Sequence, residues 1–128
     1  MPRMLIVDDD RDICDCLERF FETRGFVVIC VFSGEEALER LSAESVDVIL
    51  LDILLPGLSG IETLRRIKAM TPSARIIMLT GVLESELRRQ AYSSGAVAYV
   101  TKPFDFADTT WSAVFAALPI DEPPSTRT

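Results

Sequence analysis

Short apolar runs alternate with amphipathic stretches five times along the chain. The runs are Met4–Val7, Phe26–Val31, Val46–Leu51, Arg75–Leu79 and Val97–Val100. Most are continuous Val/Ile/Leu without polar alternation, the pattern of strands covered on both faces in a parallel sheet. Helix signals fill the gaps. Ile13, Cys14, Leu17, Phe20 and Phe21 share one face of a first helix that stops at Gly25, a residue suited to a left-handed cap. Ser33-Gly34-Glu35-Glu36 and Ser59-Gly60-Ile61-Glu62 read as capping boxes opening the second and third helices, because a serine and a glutamate three apart satisfy each other's backbone amides. Pro72 follows the third. A fourth helix is predicted from about Glu84 to Ser94, before Gly95, and a fifth from Asp105 to near Leu118. On a helical wheel the fifth helix turns Phe106, Thr110, Ala113, Val114 and Ala117 toward the sheet and Trp111 and Phe115 away from it.

Five βα units predict an α/β fold, a (βα)5 doubly wound five-stranded parallel sheet in a three-layer sandwich. Right-handed crossovers make 2-1-3-4-5 the expected order. One domain is expected over residues 1–118; the polar, proline-rich residues 119–128 read as a flexible tail or the start of a linker.

Each strand run leads into a polar residue. The first ends in Asp8-Asp9-Asp10, the third in Asp52, the fourth in Thr80 and the fifth in Lys102-Pro103. In the expected topology all fall on the carboxyl edge of the sheet, with strands one and three adjacent at the switch point where such folds bind ligands. Adjacent carboxylates repel unless a cation lies among them. Magnesium suits an all-oxygen set and brings phosphate with it, and Lys102 and Thr80 are placed to hold phosphate oxygens by charge and by a hydroxyl hydrogen bond. Taken singly, Asp9 or Asp10 reads equally well as a helix cap, Asp52 as a turn residue and Lys102 as a solvated lysine.

Composition narrows the chemistry. The 128 residues are 48% hydrophobic and carry a net charge of −7, which disfavours a broad basic face for nucleic acid. No apolar run is long enough to cross a bilayer and no signal peptide opens the chain, so a cytoplasmic location is expected. The chain contains no histidine, which removes imidazole metal sites and Ser-His-Asp catalysis. Cys14, Cys16 and Cys30 match no zinc spacing and are expected to be reduced thiols packed as small hydrophobes.

The stretches "LIVDDD", "DVILLDILLPGLSG", "IIMLTG" and "AYVTKPF" resemble, in order and spacing, the receiver domain of two-component response regulators, of the CheY-like superfamily. The resemblance covers about residues 4–118 and implies the flavodoxin-like form of the fold. It implies that Asp52 is the phosphoacceptor, that Asp8 and Asp9 bind Mg2+ with Asp52 and the backbone carbonyl of Leu54, and that Thr80 and Lys102 contact the phosphoryl group. Tyr99 stands where the family has its switch aromatic, Thr80 being its partner in the switch. Asp10 has no role in that pattern and remains a helix-start acid. Gly81 replaces the usual alanine, Ala98 stands where an acid is frequent, and Leu54 and Val82 are apolar at positions that tune phosphoryl lifetime, which favours slow self-dephosphorylation.

The implied function is a phosphoacceptor signalling domain rather than an enzyme with a released product. Its partner is a sensor histidine kinase or phosphotransfer protein, with neither nucleic acid nor membrane bound directly. Tyr99, Trp111 and Phe115 are expected to form an apolar patch on the face of helix 4, strand 5 and helix 5, through which a homodimer or target binds. A degenerate receiver that only binds partners is the main alternative. A haloacid dehalogenase-type phosphatase requires an acid two residues after the nucleophile, where Leu54 stands. A nucleotide-binding flavodoxin-like protein would have a glycine-rich loop after the first strand, and none is present.

Overall fold

The structure is a computed structural model that describes residues 1–81 and 85–116. In chain order its elements are β1 (Arg3–Val7), α1 (Arg11–Glu22), β2 (Val27–Val31), α2 (Gly34–Ala43), β3 (Val48–Asp52), α3 (Gly60–Met70), β4 (Ile76–Thr80), α4 (Ser85–Ser93), β5 (Ala98–Thr101) and α5 (Ser112–Ala116). The five strands form one sheet in the order β2-β1-β3-β4-β5, every pair parallel. The doubly wound fold is as the alternation predicts, with strand ends displaced by one or two residues.

The side-chain alternation of a strand divides the core into two layers. Leu5, Val7, Ile49, Leu51, Ile76 and Met78 face one way and pack with Ala37 of α2, Leu64 and Ile67 of α3 and Ala91 of α4. Met4, Ile6, Val48, Leu50, Ile77 and Leu79 face the other way, onto Cys14, Leu17 and Phe21 of α1 and Val114 of α5. The three central strands are buried on both faces, whereas β2 is an edge strand whose Val27 is exposed.

Helix starts follow their caps. The Asp10 carboxylate accepts from the Asp12 and Ile13 amides, so this acid is the N-cap of α1 rather than a ligand in waiting. Ser33 caps α2 and Ser59 caps α3 through the Glu36 and Glu62 amides. Gly60 is required by space: a Cβ there would lie 2.0 Å from the Asp52 carbonyl oxygen. The start of α3 therefore closes onto the end of β3, and the Gly60 amide donates to the Ile53 carbonyl at 2.8 Å.

The fifth helix departs from expectation. It begins at Ser112, not Asp105. The Asp105 carboxylate instead accepts from the Ala107 amide at 3.1 Å and from the Thr110 hydroxyl, and this local bonding competes with helix formation. The wheel drawn from Asp105 therefore holds for Ala113 and Val114, which pack on the sheet side, and fails for the residues before α5. Phe106, expected against the sheet, is 42% exposed, while Trp111, expected to face outward, is completely buried. Its indole N–H donates to the Asp105 carbonyl at 2.9 Å and its ring lies 4.9 Å from Phe104 and 5.5 Å from Phe21 between centroids. Phe115 is half-buried against Phe21 and Phe26. The predicted end near Leu118, Ala117 and the tail at 119–128 lie outside the described residues, as do Val82 and Glu84.

All three cysteines are free. Cys14 is buried and Cys30 partly so, but Cys16 is exposed and does not pack as expected. Among the described residues no helix is long and apolar enough to cross a membrane.

Because Trp111 is core, Trp111→Ala is predicted to lower stability by about 3–5 kcal/mol, read by urea unfolding. Unchanged stability would contradict its place in the α1–α5 layer.

Candidate functional site

The site lies where β1, β3, β4 and β5 end. Register brings these ends level, with Val7 beside Leu51, Asp52 beside Leu79 and Thr80 beside Thr101. Asp8 is completely buried and Asp52 is 5% exposed, while Asp9 is exposed to solvent. One carboxylate oxygen from each of Asp8, Asp9 and Asp52 falls within 4.8 Å of the others. Lys102 reaches between the two buried acids, its Nζ donating to Asp8 Oδ2 at 2.7 Å and Asp52 Oδ2 at 3.1 Å. The remaining oxygens accept backbone amides: Asp8 Oδ1 from Asp10 at 2.9 Å and Asp52 Oδ1 from Leu54 at 3.3 Å.

One ammonium against three carboxylates leaves the site with excess negative charge. Burial, followed by the Asp8 charge, pushes the Asp52 carboxyl up to about 6, against the opposing pull of Lys102. Burial works against the Lys102 ammonium, but its bonds and charge contacts with Asp8 and Asp52 outweigh this and hold it above the ordinary lysine value. The all-oxygen, acid-rich donor set fits a hard divalent cation, and Asp9 opens the cluster to solvent.

Thr80 is buried at the end of β4, and its carbonyl accepts from the Lys102 amide at 2.8 Å. Gly81 leaves the approach to Lys102 open, since a Cβ there would meet Lys102 Cβ only at 4.0 Å. Leu54 is 61% exposed at the rim.

Tyr99 is half-buried on β5 with the Arg88 guanidinium 4.6 Å from its ring centroid and Tyr92 at 6.4 Å. Burial pushes its phenol up.

The structure thus gathers Asp8, Asp9, Asp52 and Lys102 in one cluster with Thr80 at the adjoining strand end. It does not gather Tyr99, Trp111 and Phe115. Tyr99 packs with the α2–α3–α4 layer and the other two with the α1–α5 layer, on opposite faces of the sheet, so the expected three-residue patch does not exist. A contact not foreseen is that of Glu35, at the start of α2, whose Oε2 accepts from the Leu58 amide at 3.1 Å. Its sequence signal, an acid in a helix first turn, is explained equally by the helix dipole.

Residues 4–112 match the family model for the response regulator receiver domain. The chain belongs to that family. Receiver relatives include the sporulation initiation phosphotransferase F of Bacillus subtilis, 34% identical over 118 residues that cover 92% of this chain and 94% of that protein. The C4-dicarboxylate transport transcriptional regulatory protein DctD of Rhizobium meliloti is 35% identical over 80% of this chain but only 22% of its own length. Across the first transcriptional regulators matched, the chain spans 22% to 49% of their length. Among solved structures, a CheY-like receiver domain from Methanospirillum hungatei superposes with a TM-score of 0.86 at 31% identity, covering 91% of this chain and 94% of that one. A two-component response regulator from Clostridium difficile gives 0.86 at 27% identity, covering 91% and 95%. This chain is a two-component receiver domain.

The receiver's Asp52 makes metal-free stability depend on pH. With its carboxyl raised from 3.8 to about 6, the folded state keeps a proton that the unfolded chain has released. Stability therefore falls as pH rises through that window. In chelator, Asp52→Asn is predicted to gain about 1–3 kcal/mol near pH 7.5, a gain that shrinks as the pH falls toward about 4. A constant difference across that range, followed by urea unfolding, would contradict the assignment.

Proposed function

We propose that this receiver accepts one phosphoryl group on Asp52 from the phosphohistidine of a histidine kinase or phosphotransfer partner. The observation that supports this most directly is the bridging of the buried Asp8 and Asp52 by Lys102, at 2.7 and 3.1 Å, beside the exposed Asp9. Asp8, Asp9 and Asp52, with the Leu54 carbonyl, would hold Mg2+. When bound, that ion supplies positive charge to the acids and to phosphoryl oxygens.

A carboxylate oxygen of Asp52 attacks phosphorus. The new O–P bond forms as the P–N bond to imidazole breaks, and the imidazole leaves with the bond's electron pair. Lys102 is placed to follow the charge, exchanging its carboxylate contacts for a phosphoryl oxygen. Its compact ammonium can move between acceptors without losing its own charge. The Leu54 amide, at 3.3 Å from Asp52 Oδ1, orients the acid. Thr80 donates its hydroxyl to the phosphoryl group, and Tyr99 responds to the movement of Thr80. The apolar rim at Leu54 does not position a hydrolytic water, in keeping with slow loss of the phosphoryl group. The output surface is the α4–β5 face, where Tyr92 and Val97 are 46% and 44% exposed beside Tyr99; a homodimer or a target protein engages there. The protein works in the cytoplasm.

Acetyl phosphate with magnesium is predicted to add one phosphoryl group by intact mass, with none on Asp52→Asn. Undiminished labelling of that variant moves the acceptor elsewhere and favours a receiver that only binds partners. Lys102→Ala is predicted to keep calorimetric magnesium binding while phosphorylation slows about 10²–10³-fold. Loss of metal binding in that variant would contradict the division of roles.

A further inference from the structure

The segment between Asp52 and α3 carries Leu54, and it is braced from outside. Ile53 and Leu55 anchor its first half in the core, while Leu54, Pro56, Gly57 and Ser59 are exposed, so the stretch from Pro56 to Ser59 has little burial to hold it. At its β3 end the Leu54 amide bonds Asp52 Oδ1; at its α3 end Ser59 caps the helix. Between these, Glu35 reaches across from α2. Its Oε2 accepts the Leu58 amide at 3.1 Å. A Cβ on Gly57 would lie 2.8 Å from Oε2 and 3.4 Å from Oε1, so the carboxylate is seated flat against the glycine. Gly57 has φ +73°, a turn that presents the Leu58 amide and that side chains rarely adopt. The base of α2 is fixed in turn: Gly34 is buried, and a Cβ on it would fall 2.1 Å from Thr63 Oγ1 of α3 and 3.2 Å from the Leu58 carbonyl. Glu35 thus springs from a fixed point in the fold.

We propose that Glu35 is a positioning residue of the phosphoacceptor site, holding the β3–α3 loop so that the Leu54 amide and carbonyl keep their places beside Asp52. This rests on the function proposed above. Glu35 acts by reach and acceptor geometry, not by its charge. A charge at the start of α2 would serve the helix dipole as well from an aspartate, but a side chain one methylene shorter does not reach Leu58. Groups that orient a metal site from behind its ligands typically change affinity about 10–100-fold when removed.

Three variants separate the possibilities. Glu35→Gln keeps an acceptor oxygen at full reach without charge. Glu35→Asp keeps charge and helix preference without reach, and Glu35→Ala keeps neither. The readouts are magnesium affinity by calorimetry, hydrogen exchange of the Leu58 amide in metal-free protein, and phosphorylation by acetyl phosphate, with the melting temperature as the control for folding. The expected order is wild type and Gln together, with Asp and Ala about tenfold weaker for magnesium and exchanging the Leu58 amide faster. Wild-type values in Asp and Ala overturn the tether, as does a loss in Gln with none in Asp, which would make the effect one of charge. A change in melting temperature alone would make Glu35 a merely structural residue of α2 and also overturn it. If wild type itself neither binds magnesium nor labels on Asp52, the phosphoacceptor reading fails and takes this one with it. If wild type does both and only the variant order fails, the tether alone is wrong.

Discussion

Lys102 holds apart a conflict that the fold creates. Parallel strands place the first residues after β1 and the last of β3 at one edge, and in this chain those residues are acids. Two buried carboxylates so close would repel strongly without a cation. The ammonium spans both, yet it offsets only part of the charge once Asp9 is counted. The site is therefore electrostatically incomplete: too negative for stability's sake, and suited to a further cation and then a phosphoryl group. A buried ion pair of this kind contributes little net stability; its value lies in being rearrangeable.

The rest of the molecule serves to keep that edge in place. Ile6, Leu50 and Leu79 pack one layer and Leu5, Leu51 and Met78 the other, so the strands carrying the polar residues are fixed from both faces. Tight backbone approaches do the rest. Gly60 lets α3 close on the carbonyl of Asp52, and the Asp10 cap starts α1 immediately after the acid pair. The polar residues themselves then need few bonds to be well placed.

Much of this was legible in the sequence. Unbroken apolar runs located the strands, because strands covered on both faces have no polar alternation to hide behind. The acids, Thr80 and Lys102 could be found because each directly follows such a run. What failed was the region where local side-chain bonding overrode periodicity. Asp105 engages Ala107 and Thr110 in a turn, which delays α5 to Ser112 and rotates Trp111 from the predicted surface into the core. A wheel drawn from seven residues too early still sets Ala113 and Val114 toward the sheet, but it misplaces Phe106 and Trp111, which lie in or next to the non-helical turn. The Glu35 contact was illegible for another reason: its partner is a backbone amide 23 positions away, and no side-chain pattern records that.

Asp52 sits in a pocket with more negative charge than Lys102 can offset. Carboxyl carbon NMR of selectively labelled metal-free protein measures this directly. Titration of Asp52 near pH 6, moving to lower pH when magnesium is added, is the expected result. An Asp52 that titrates like an exposed aspartate, with magnesium leaving the signals of Asp8, Asp9 and Asp52 unmoved, would contradict it.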